Sequence, residues 1–389
     1  MPTFFSFFII LLAAVIFSQL FSRMRIPWVV ALIVGGIVIG PSGLELFEPD
    51  ATLDFLAQIG LVFLMFMTGL ESRFSDTRGL RQRIVLTSII IGIIPGIVGM
   101  GIGLFFDYDW SAVILLGIIF MSSAIALLIP QFQAQKIIGS ELGKIIISAA
   151  IIIDALSLIF LSLFLQIATN TLTFWTLLLY PLVLALFAGL FWLVPKIRWL
   201  TFPEEYAEEQ DLFEKELRFV ILILIGFVVV FELIGLHAIV AGFFAGLILS
   251  QSMKSRLLKA KLHAVGYGFF IPVFFVIIGA NTDISLFWQK TTAILALSII
   301  VGLTTSKFVS GWLSGRLLKF NNQESIFLGA AVIPQLSTPL AVAFLGFGQG
   351  FLDQKLLSSI VALTIVTSII APIATSIIGR RLKTQQTSI

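Results

Sequence analysis

Apolar stretches of about 20 residues recur along the whole 389-residue chain, each long enough to cross the hydrocarbon core of a bilayer. No other feature restricts the available folds so strongly. In lipid every backbone N–H and C=O group must be satisfied internally, so a spanning segment is a helix or part of a closed barrel. Apolar runs of this length belong to helices. Hydrophobic residues make up 59% of the chain and charged residues only 12%, against roughly 25% charged in a soluble domain. The expected class is an all-α polytopic membrane protein in a lipid bilayer.

Thirteen transmembrane helices are expected, at 3–22, 27–40, 53–70, 85–106, 110–132, 145–168, 174–195, 217–236, 238–251, 263–280, 291–315, 325–348 and 356–379. The first run has no basic residue before it and is followed by Arg23 and Arg25, so it reads as an uncleaved span with its N-terminus outside. With that start, 21 of the 24 Lys and Arg residues fall on one side of the membrane. Only Lys290 and Lys355 fall on the other, and Lys307 lies within a span. Basic residues accumulate on the cytoplasmic side, so the C-terminus is expected there. The segment 196–216 reads as an acidic cytoplasmic linker.

The absence of cysteine removes disulfides and thiolate metal sites, and two histidines offer little metal chemistry. A net charge of +3 is no nucleic-acid signal. No nucleotide loop, metal cluster or nucleophile elbow suggests an enzyme, and no cofactor is expected.

"GGIVIGPS" (35–42) aligns with "AGLILSQS" (245–252) at an offset of 210, and the same offset lays Gly69 on Gly279. Spans 1–6 would then repeat as spans 8–13. One connecting span inverts the second copy, the trace left by inverted-topology transporters whose sites lie where discontinuous helices meet near the midplane. Residues 1–195 would hold the first repeat and the connector, and 217–389 the second. The helices expected to break are 110–132, with "FMSSAIALLIPQF", and 325–348, with "VIPQLSTPLAVAF". Each places polar residues or proline where a span should be most apolar. Pro334 and Pro339 each remove a backbone donor. Pro95 and Pro372 read as ordinary kinks.

Asp154 is the only charge in 145–168 and sits near the midpoint. Such a charge costs about 2.5–3.5 kcal/mol on insertion scales, and it is tolerated if it can be neutral, bind a cation or face water. A carboxyl group that exchanges its proton for a cation at one alternately exposed site is sufficient for antiport. Ser122 and Ser123 at the first break, and Ser157 on the helix face of Asp154, could supply oxygen ligands. Gln335, Ser337 and Thr338 mark the second break. A structural hydrogen bond or ion pair at Asp154 is the alternative reading. Lys307 could pair with Asp154 when no ion is bound, or snorkel to the cytoplasmic interface. Glu232 and His237 lie near the outer end of span eight; Glu232 reads as an interfacial or inter-helix contact rather than a transport carboxylate.

Several segments carry a resemblance to bacterial monovalent cation:proton antiporters of the KefC- and NapA-like branch. They are "FELIGLHAIVAGFFAGLILS" (231–250), "LVFLMFMTGLE" (61–71), "FFIPVFFVIIGANTDI" (269–284) and "SSAIALLIP" (122–130). The resemblance implies an NhaA/NapA-like fold, a homodimer in the bacterial plasma membrane, and two broken helices crossing beside an ion-binding aspartate at Asp154. It implies exchange of Na+ or K+ for H+. Where sodium-type relatives carry two adjacent carboxylates this chain has Ile153 and Asp154, so the exchange is expected to be electroneutral. A channel-like potassium efflux protein and a non-transporting sensor are the competing classes; no carbonyl filter motif favours the channel.

Overall fold

A computed structural model describes residues 3–23, 26–72, 79–124, 127, 129, 132–133, 135, 137–169, 214–253 and 255–386. The helices are α1 Thr3–Arg23, α2 Trp28–Ile39, α3 Ala51–Glu71, α4 Arg81–Phe105, α5 Trp110–Met121, α6 Glu141–Ala168, α7 Lys215–Leu233, α8 Ala238–Ser252, α9 Arg256–Val265, α10 Ile271–Ala280, α11 Lys290–Leu317, α12 Asn322–Ala331, α13 Ser337–Gly348 and α14 Gln354–Gln386. A π turn, Gly266–Phe270, joins α9 to α10. Seven helices among the described residues are long and apolar enough to cross a membrane, counting Arg256–Ala280 as one. The expected connector at 174–195, and the acidic linker except for residues 214–216, lie outside the described residues.

Local chemistry explains several helix limits. Asn321 caps α12 in a reciprocal box: its Oδ1 accepts from Glu324 N–H at 2.8 Å and Glu324 Oε2 accepts from Asn321 N–H at 3.0 Å. Ser255 Oγ accepts from Leu258 N–H at 3.2 Å and starts α9. Span ten therefore begins earlier than the expected residue 263. Its first turns carry Arg256, Lys259 and Lys261, which hide them from a hydropathy reading. Pro95 and Pro372 lie inside continuous helices, α4 and α14.

Both segments expected to break contain non-helical residues. α5 stops at Met121 and Ser122 is extended, at φ −69° and ψ 167°. α12 stops at Ala331, and residues 333–336 are irregular before α13 begins. Pro334 disfavours helical conformation at Ile333. Pro339 falls in the first turn of α13, where a missing N–H costs no helical bond.

Chain contacts divide the protein into two units. The first holds α1, α2, α4, α5, α6 up to Leu161, most of α10, and α11–α14. Within it α4 packs on α5 and α11, and α11 packs on α12 and α14. The second holds α3, the end of α6, and α7–α9; its central contact is α3 against α8.

Glycines allow the tightest crossings. In the first unit a Cβ on Gly36 would lie 2.0 Å from Val276 O, and one on Gly279 would lie 2.2 Å from Ile33 O. In the second unit a Cβ on Gly246 would lie 2.0 Å from Phe66 O, and one on Gly69 would lie 2.0 Å from Phe243 O. The obstacle is backbone each time, so no rotamer change relieves it. Gly36→Ala and Gly246→Ala should each cost about 1–3 kcal/mol by overpacking. Gly101→Ala, which meets nothing within 4 Å, should cost little. Thermal unfolding of the three purified variants in detergent checks this; equal midpoints would contradict it.

Candidate functional site

The site lies within the first unit, where the breaks after α5 and α12 meet α6 and α11. Asp154 on α6 is 1% exposed and Lys307 on α11 is fully buried. Ser122, Ser123, Ser157, Gln335, Ser337 and Thr338 are buried as well.

The two breaks are joined directly. Ala124 N–H donates to Pro334 O at 2.9 Å, and Ser123 Oγ donates to Val332 O at 3.3 Å. Gln335 Nε2 donates to Ser122 O at 2.9 Å, and Ser122 Oγ donates to Gln335 Oε1 at 3.1 Å. Ser368 Oγ, from α14, donates to Gln335 O at 3.2 Å. Extended residues left unpaired here would carry buried polar groups at a cost of about 1–3 kcal/mol each, and these bonds satisfy several of them.

Lys307 does not snorkel. Its Nζ donates to Ile91 O at 3.1 Å, to Met121 O at 2.8 Å and to Ser123 Oγ at 3.1 Å. Three acceptors match the three N–H bonds of an ammonium group. Met121 is the last residue of α5, so the ammonium also sits at the negative end of that half-helix. No hydrogen bond runs from Lys307 to Asp154; the ammonium acts on the carboxylate through space.

Asp154 is left with both carboxylate oxygens buried and with no hydrogen-bond partner among the described residues. Thr338 Oγ1 is in the same condition. The Thr338 hydroxyl and the Ser123 backbone N–H face the carboxylate without closing a bond of ordinary geometry. Ser157 Oγ donates back to Asp154 O at 2.8 Å, within its own helix. Ser122, expected as an ion ligand, has both oxygens engaged by Gln335.

Ile153 is turned from this cluster. Its Cδ1 would lie 2.2 Å from a Cβ on Gly92, so the side chain fills a notch in α4. Glu232 is exposed at the end of α7. His237 caps α8, accepting from Ile239 N–H at 3.4 Å. Among the described residues no group of three or more His, Cys, Asp or Glu could hold a metal ion.

The family model described as "Sodium/hydrogen exchanger, transmembrane" matches residues 7–381. The chain belongs to that family. It is 31% identical over 378 residues to a Methanocaldococcus jannaschii protein named "Probable Na(+)/H(+) antiporter 3", covering 94% of each chain. It is 27% identical to the "Na(+)/H(+)-K(+) antiporter GerN" of Bacillus cereus, covering 95% of this chain and 94% of the relative. An Enterococcus hirae "Na(+)/H(+) antiporter" is 26% identical, with 94% and 95% covered. Among solved structures the fold matches the sodium proton antiporter MjNhaP1 with a TM-score of 0.70 over 96% of each chain, at 16% identity. These matches carry the exchanger family; they do not support the narrower KefC/NapA-like branch expected from sequence. The family is one of secondary transporters, not enzymes.

Proposed function

We propose that this protein is a secondary antiporter that exchanges Na+ or K+ for H+ by alternating access, with proton and cation competing for Asp154. One observation carries the reading. Three buried oxygens, Asp154 Oδ1 and Oδ2 and Thr338 Oγ1, have no partner and lie beside the two helix breaks. An alkali cation takes oxygen ligands, and a proton satisfies the same carboxylate. Hydroxyl and carboxylate oxygens that close no hydrogen bond of ordinary geometry suit both occupants in turn. The relatives are named as antiporters of Na+ and, for GerN, also of K+.

The transport fold would be an inverted repeat with thirteen spans. Support comes from the glycine crossings. The offset of 210 carries Gly36 and Val276, in contact, onto Gly246 and Phe66, also in contact, with the order of the helices exchanged. It likewise carries Ile33 and Gly279 onto Phe243 and Gly69. A duplicated unit packed about a pseudo-two-fold axis makes such paired contacts. The repeat boundary, 1–195 against 217–389, and the packing units are different divisions of the chain. The basic residues argue for an N-terminus outside and a cytoplasmic C-terminus. A plasma-membrane homodimer rests on the family resemblance.

The repeat does not duplicate the charges. The offset lays Asp154 on Thr364 and Lys307 on Ile97, so each half supplies one charge to a single site. With Ile153 packed on Gly92 and the Lys307 ammonium fully engaged, Asp154 is the one proton carrier, and exchange is electroneutral. The test is proton flux in proteoliposomes driven by Na+, K+ or Li+ gradients with the membrane potential clamped by valinomycin. Na+ or K+ should drive proton movement, with a reversal point that does not shift with voltage. A shifting reversal point would defeat the one-for-one exchange, and no cation-driven flux would defeat the antiport reading.

A further inference from the structure

We infer that Gln335 is a positioning residue: by clipping the two helix breaks together it sets the spacing of the cation site and hence the preference among cations. The inference rests on the antiport reading at Asp154 and deepens it.

The geometry of the clip is specific to an amide. One end must donate to Ser122 O, at 2.9 Å, while the other accepts from Ser122 Oγ, at 3.1 Å. A carboxylate has no N–H for the first contact, and a thioether has none either and offers the second only a weak acceptor. The clip is fully buried, so water does not replace a lost bond. Its anchorage runs to α14 through Ser368 and Gln335 O.

Position gives the clip its leverage. Ser122 precedes Ser123, whose N–H faces Asp154 and whose hydroxyl receives Lys307. Gln335 lies three residues before Thr338, the other oxygen beside the carboxylate. A change in the distance between Ser122 and Gln335 therefore moves ligands on both sides of the site at once. Only one other side-chain bond, from Ser123 to Val332, joins residues 122–124 to 332–336 among the described residues. The repeat offset lays Gln335 on Ile125, so the amide has no counterpart in the first repeat.

Sequence alone placed Gln335 at the second break without a role. Its partner is 213 residues away, and no local pattern announces such a bond.

The test uses the full-length protein in proteoliposomes, with Na+-, K+- and Li+-driven proton flux measured across cation concentration. Gln335→Met keeps length, removes the bond to the Ser122 carbonyl and leaves only a weak acceptor for the hydroxyl; Ser122→Ala removes only the hydroxyl bond and keeps the carbonyl. Gln335→Met should raise the half-saturating Na+ concentration about tenfold, the worth of one to two buried hydrogen bonds. It should also narrow the differences among the three cations, with the maximal rate within about threefold of wild type. Ser122→Ala should show a smaller rise, and the double variant no more than Gln335→Met alone, because both substitutions break one clip. If Gln335→Met does not fold, Gln335→Asn, too short to reach both Ser122 atoms, replaces it with the same expected direction. Unchanged half-saturation and cation order would overturn the inference. So would a loss of rate or thermal stability alone, the mark of a purely structural clip, or additive effects in the double variant. A wild-type protein without cation-driven flux would overturn the antiport reading itself, and this inference with it.

Discussion

Asp154→Asn should insert and fold normally and should abolish exchange. The amide has almost the shape of the carboxylic acid, and it occupies a position that is already fully packed at 1% exposure. It brings two N–H donors into a region where Thr338 Oγ1 lacks a partner, so the folded state loses little. What it cannot do is release a proton or carry a negative charge toward an entering cation. Removing the only titratable carboxyl of the cluster should lower cation-driven proton flux below detection, a loss of at least about 10³-fold if the carboxylate supplies about 4 kcal/mol or more of the site's interaction with the ion. The thermal midpoint in detergent should stay close to wild type. The check is flux in proteoliposomes at matched protein content. Appreciable flux from a folded Asp154→Asn protein would place the exchange site elsewhere.

Lys307→Ala should fail differently, through the fold. The ammonium ties α4 at Ile91 O, the end of α5 at Met121 O, and the first break at Ser123 Oγ. Truncation leaves the buried acceptors without a donor and opens a cavity of most of a lysine side chain. It also leaves Asp154 without its neighbouring positive charge. Removing one member of a buried charged set costs about 3–5 kcal/mol. A stable membrane protein carrying that loss should show a much lower thermal midpoint and a large drop in folded yield, together with little or no transport. Lys307→Met restores volume but not the donors, so it should recover part of the stability and none of the activity. Comparison of midpoints and flux for both variants checks the account. A Lys307→Ala protein as stable as wild type would mean that the three contacts do not hold the break.

Much of this was legible in the sequence. Hydropathy alone locates helices such as α4 and α11 because their ends coincide with charged turns. The breaks are legible because Pro334, Pro339 and the Ser122-Ser123 pair interrupt otherwise apolar spans. Asp154 stands out because nothing else in its helix is charged. The rest depended on partners far apart in the chain. Lys307 could pair with Asp154 or reach the interface; neither reading foresaw that two backbone carbonyls, from α4 and α5, and the Ser123 hydroxyl would take all its donors. Ser122 reads in the sequence as an ion ligand because its tie to Gln335 spans 213 residues and leaves no local trace. The start of α9 was obscured by its basic residues. The glycines aligned at one offset are visible in the sequence, while their part in backbone-to-backbone crossings needed the contacts of Gly36, Gly69, Gly246 and Gly279.

The claim that most needs testing is that proton and cation share Asp154. The direct measurement is the half-saturating Na+ or K+ concentration of the wild-type protein in proteoliposomes at a series of pH values, with the maximal rate recorded at each. Competition for one group requires each ligand to weaken the other reciprocally. On the acid limb, half-saturation should rise about tenfold for each unit fall in pH while the maximal rate at saturating cation stays nearly constant. A half-saturation independent of pH, with only the maximal rate changing, would mean that proton and cation occupy different groups and would contradict the account.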